Sequence, residues 1–160
     1  MGRCGTARSS PDNGLHRNAR GDARALLDGA EETQPSWWGE VAALGWLGLH
    51  VPEAQGGSGF SIEELVVVVE QFGRAVAPGP FVPTVIASAV LAAVGGDVAD
   101  RNPPGLADGS IIGAVALDAV VSISDGTVSG NAGNVLGGGL AQLLLIAAGN
   151  DIVAVKVGDG

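Results

Sequence analysis

No tyrosine occurs in the chain, and three tryptophans, three phenylalanines, one methionine and one cysteine are all it holds of those types. A lone Cys4 excludes an internal disulfide framework and fits a reducing, cytoplasmic compartment. With so few large side chains, the core must be assembled from Ala, Val, Leu and Gly, each buried Val or Leu contributing about 1.5–3 kcal/mol. Positive charge is equally scarce: 8 Lys and Arg face 17 Asp and Glu, for a formal charge of −9. Five of those bases are Arg3, Arg8, Arg17, Arg20 and Arg24, so residues 25–160 carry three bases against 15 acids, a balance of −12. Phosphate backbones demand clustered Lys and Arg, and nucleic acid is therefore not expected as a partner. Long hydrophobic runs are missing too. Val82 to Val94 and Leu140 to Ala148 fall short of the roughly 20 residues that cross a bilayer, so no membrane span is expected.

The chain, 160 residues long, has room for one ordinary domain, or a small domain and part of a second. Residues 1–20 are rich in Arg, Ser, Gly and Asn without apolar periodicity, which predicts a disordered leader. Being Arg-rich and acid-poor, they also share features with a transit peptide, and Met1-Gly2 with Thr6 fits a myristoylation pattern with Cys4 as a second lipid site. A short helix is expected over Ala23 to Ala30. Ser36 is placed to cap a helix from Trp37 to about Leu44, with Trp37, Val41 and Leu44 on one face and Gly45 at its end. Leu47, Leu49 and Val51 alternate as in a short extended segment that Pro52 stops, and Gln55 to Gly59 reads as a loop.

That loop feeds a complete helix start. Ser61 can cap through its hydroxyl, Glu64 can reach back to the Ser61 amide, and Phe60 and Leu65 stand where a hydrophobic staple places them. From Ile62 to about Val76, Leu65, Val66, Val69, Phe72 and Val76 mark one face, Val67 and Val68 widen it, and Glu63, Glu70 and Arg74 mark the other. The pattern predicts a helix packed between neighbours. Pro78-Gly79-Pro80 breaks the chain before a helix from Pro83 to Val94, closed by Gly95 and Gly96. After Asn102-Pro103-Pro104-Gly105 and Asp108-Gly109 the period becomes strand-like. Ile111–Leu117, Ala119–Ile123, Thr127–Ser129, Leu140–Ala147 and Ile152–Val157 read as strands, with turns at Asp125-Gly126 and Gly149-Asn150-Asp151. The closing Gly158-Asp159-Gly160 is a turn signal with no strand after it. The expected fold class is therefore α+β of the multi-domain type. It has a leader (1–20), an all-α helical domain (21–107) and an incomplete antiparallel β domain (108–160).

The residues alone show no catalytic constellation. Gly56-Gly57-Ser58-Gly59 opens a helix but lacks a P-loop lysine and a preceding long strand, so a cap-and-turn role is favoured, and Gly137-Gly138-Gly139 reads as a loop. His50 has no Cys or second His at metal-ligand spacing, and a boundary role is favoured over that of a ligand or base. Glu63, Glu64 and Glu70 are explained by the helix start and a solvated face. No catalytic residue and no metal site is assigned.

The order of the motifs adds to this. Leu44-Gly45-Trp46-Leu47-Gly48-Leu49-His50-Val51-Pro52-Glu53, then Gly56 to Gly59, Glu63-Glu64-Leu65 and Phe72-Gly73-Arg74-Ala75, resembles the N-terminal helical domain of acyl-CoA dehydrogenases. Pro80 to Thr84 and Pro104 to Gly109 extend the resemblance, which covers about residues 36–117. It implies a helical domain, a middle β domain and a C-terminal four-helix domain, assembled as homo- or hetero-oligomers and serving lipid metabolism such as fatty acid β-oxidation. It implies FAD as the cofactor, taking a hydride from the β-carbon of an acyl-CoA thioester while a glutamate takes the α-proton. It also points to part of the acyl pocket at Phe81, Val82 and Val85, for which interhelical packing is the competing account.

The sequence departs from the family where flavin should sit. After Ala114 to Leu117 the family continues with a Thr-Glu-Pro segment and a Gly-Ser-Asp, whereas Asp118-Ala119-Val120-Val121 leads straight into a strand. Val135-Leu136-Gly137-Gly138 stands in place of a Trp-Ile-Thr-type run, and the domain carrying the glutamate is absent. The chain is therefore expected to be an inactive fragment of such an enzyme, its cofactor-binding residues unassigned. The alternative is a non-catalytic partner pairing with a complete dehydrogenase. An independent helical interaction module is a third, weaker option.

Overall fold

The computed structural model describes residues 11–96 and 102–158, so the expectations for residues 1–10 and for the final turn at 159–160 lie outside the described residues. Helix α1 spans Pro11–Leu27 and α2 Trp38–Ala43; two 3-10 turns, Trp46–Gly48 and Glu53–Gln55, lead to α3 (Ile62–Ala75), α4 (Phe81–Val94) and the short α5 (Pro103–Ala107). Strands β1 (Gly113–Ala116), β2 (Val120–Ser124), β3 (Thr127–Asn131), β4 (Val135–Leu136), β5 (Leu143–Ala148) and β6 (Asp151–Lys156) follow. The result is helices on one side of the sequence and strands on the other, the α+β class.

Helix α1 corrects the leader over residues 11–20 and replaces the shorter helix expected at Ala23–Ala30. Ala19 is fully buried among Trp37, Trp38 and Phe72, so an alanine contact supplies what the sequence showed only as a weak period. Gly29, at φ +92°, ends the helix, and the Ala30 amide donates to the Ala25 carbonyl. Ser36 does not cap α2; its hydroxyl donates to Asp22 Oδ2 on α1 at 3.1 Å, and Trp37 occupies the cap position. The extended segment expected over 47–51 is instead a 3-10 turn. Gly45 at φ +71° turns the chain back, which buries Leu47 and Val51 together.

Helix α3 starts as its sequence dictates. The Ser61 hydroxyl accepts from the Glu63 amide at 3.3 Å, the Glu64 carboxylate accepts from the Ser61 amide at 3.0 Å, and the Ser61 hydroxyl also meets Glu64 Oε2, completing a capping box. The expectation that α3 is enclosed on most sides is corrected. Leu65, Phe72 and Ala75 are buried, but Val66 and Val67 are 57% and 59% exposed.

Five of the six aromatic residues gather in the helical part. Phe72 and Phe81 stack at 4.2 Å, Trp37 meets Phe72 edge-on at 5.0 Å, Trp46 approaches Phe72 at 6.2 Å, and Trp38 lies beside Trp37 at 6.0 Å. Such contacts add to area burial, which compensates for an otherwise small-residue core. A second cluster joins Ala87 and Leu91 of α4 and Leu106 of α5 to Val115, Leu143 and Leu145 of the sheet.

The strands form a four-stranded sheet in the order β4-β1-β5-β6 and a separate β2-β3 ribbon. β1 pairs parallel with β5, Gly113 opposite Leu143, so the larger sheet is mixed rather than purely antiparallel. The ribbon turns at Asp125 (φ +51°) and Gly126 (φ +74°), the paired left-handed residues of a tight hairpin. Helix and sheet are tied by Thr84. Its Oγ1 accepts from the Gly113 amide at 3.1 Å and donates to the Gly113 carbonyl at 3.4 Å. A Cβ on Gly113 would lie 2.8 Å from Ala87 Cβ, so glycine sets how closely β1 approaches α4. Trp38 Nε1 donates to the Gly109 carbonyl at 2.9 Å, fixing the entry to β1 against α2.

Candidate functional site

Helix α4 begins immediately after the Pro-Gly-Pro break, which turns its first residues toward α3. Phe81 and Val85 are 2% and 3% exposed and belong to the aromatic core. Val82 points elsewhere, remains partly exposed, and borders an open apolar groove of about 670 Å³. Leu26 and Leu27 of α1, Val69 and Phe72 of α3 and Val76 at its C-cap are among the residues that form its walls. Of the three residues singled out for the acyl pocket, the structure brings Phe81 and Val85 together in the core and leaves Val82 at the groove. Val69 and Val76, which the sequence pattern places on one packed face, line this groove.

His50 is half-buried, and its Nε2 lies 3.0 Å from the Ser88 hydroxyl. Ser88 gives its own proton to the Val85 carbonyl at 3.0 Å, so it accepts from His50 Nε2–H, leaving Nδ1 as a buried atom without a hydrogen-bond partner. Burial lowers the His50 pKa below its ordinary value, the Val85 carbonyl offsetting part of that. Ser88 is fully buried, and the pair joins the 46–52 turn to α4 as a structural contact. Among the described residues, no group of three or more His, Cys, Asp and Glu could hold a metal ion.

The Gly56 to Gly59 loop is occupied by its own backbone. A Cβ on Gly57 would fall 2.1 Å from the Val51 carbonyl oxygen, so no space remains there for a phosphate. Glu63 and Glu64 are fully exposed, and the Ser61 hydroxyl bond, the foremost cause, lowers both pKa values.

At the C-terminal end of β1, Ala116 is buried, and the next residues, Leu117 and Asp118, are exposed before β2 begins at Val120. Leu117 is 78% exposed. The neighbouring rim comes from Val135 and Leu136 of β4, which pairs with β1, and from Gly137 at φ +77°. Of Leu117, Asp118, Val135, Leu136 and Gly137, Asp118 alone has a hydrogen-bonding side chain; it lies against Gly133, whose amide donates to Asn131 Oδ1 at 2.8 Å.

The acyl-CoA dehydrogenase N-terminal domain family matches residues 18–109. Acyl-CoA dehydrogenase FadE34 of Mycobacterium tuberculosis is 37% identical over 131 residues, 78% of this chain and 18% of that protein. Acyl-CoA dehydrogenase IpdE2 of the same organism is 40% identical over 76 residues, 47% of this chain and 23% of that protein. A solved variant of the steroid ACAD Tcur3481-Tcur3483 superposes with a TM-score of 0.72 at 25% identity, covering 91% of this chain and 45% of that one. The chain thus spans less than a third of the curated relatives' length and under half of the solved chain. With the family's N-terminal domain matched over more than half of its residues and its fold reproduced, the chain belongs to the acyl-CoA dehydrogenase family.

Proposed function

We propose that this chain supplies the N-terminal helical domain and the opening of the β domain to an acyl-CoA dehydrogenase, and that it does not dehydrogenate an acyl-CoA thioester by itself. The observation that carries this reading is the rim at the end of β1. Members of the family are generally FAD-dependent. Here Leu117, Asp118, Val135, Leu136 and Gly137 offer no hydroxyl, amide or aromatic side chain, and Asp118 bears charge of the same sign as a pyrophosphate. These residues do not fit FAD, and no step of the reaction is assigned to them. Of the acyl-pocket candidates, only Val82 presents a side chain to open space; Phe81 and Val85 act by packing α4. The substrate class extends no further than an acyl-CoA thioester.

A second reading, favoured by the exposed valines of α3, is a non-catalytic subunit that forms an oligomer with a complete dehydrogenase. The test common to both is to mix the purified chain with FAD, remove free flavin and add an acyl-CoA with an artificial electron acceptor. The expected outcome is a colourless protein and no thioester-dependent reduction. A stoichiometric flavoprotein that turns over would overturn the proposal.

A further inference from the structure

We draw no further inference here: the strongest candidate, the cavity of about 200 Å³ that Ile111, Gln142, Leu143 and Lys156 help to line where β5 begins, carries nothing, because Lys156 stands exposed at the end of the edge strand β6, Gln142 Oε1 is held by the Ile112 amide, and nothing in the structure shows what would fill the space.

Discussion

Thr84 and His50 show how much single residues carry in a chain with so few large side chains. Thr84→Val keeps the shape of the side chain but strips the Gly113 amide and carbonyl of the Oγ1 they share, and it should cost about 1–3 kcal/mol in chemical denaturation. His50 makes stability depend on pH. Its folded pKa lies below the ordinary histidine value of 6.5, so the unfolded chain binds the proton more readily. The contribution is therefore fully present above pH 6.5, and it is lost as pH falls through that value toward the folded pKa. His50→Gln should flatten that part of the stability profile, read by urea midpoints at stepped pH. Val76 is a third case: Val76→Gly relieves a left-handed valine and should stabilise by about 0.5–1 kcal/mol, net of the added freedom of the unfolded chain. None of these three roles is legible in sequence, because each depends on a partner or a backbone angle set elsewhere in the fold.

Among the elements, legibility follows the range of the interactions that define them. The start of α3 is written within Ser61 to Glu64, and the hairpin at Asp125-Gly126 within two residues, so both were readable. Ser61→Ala should cost about 1 kcal/mol of thermal stability, with Glu64→Gln smaller if the reciprocal bond is the weaker half. Helix α1 was not readable because alanine, which packs tightly at Ala19, leaves almost no hydrophobic signal. The alternation of Leu47, Leu49 and Val51 misled for the opposite reason: a 3-10 turn held by Gly45 buries Leu47 and Val51 as a strand face would. The parallel pairing of Gly113 with Leu143 joins residues 30 apart, and no local pattern encodes it.

At the scale of the whole molecule, family membership was legible from the order of motifs between Leu44 and Gly109, whereas the exposed groove was not. Val66, Val67 and Val76, which suggest burial in the sequence, lie at the surface of the folded chain, because α3 buries only Leu65, Phe72 and Ala75. Aromatic stacking between α3 and α4, together with the Thr84 and Trp38 bonds, joins helices and sheet. No helix among the described residues is long and apolar enough to cross a membrane. The central claim is that this arrangement supports an acyl-CoA dehydrogenase without holding its flavin. The most direct measurement is the visible absorption spectrum of the folded chain after equilibration with FAD and removal of free flavin. The account predicts no flavin band above background, and a band corresponding to one FAD per chain would contradict it.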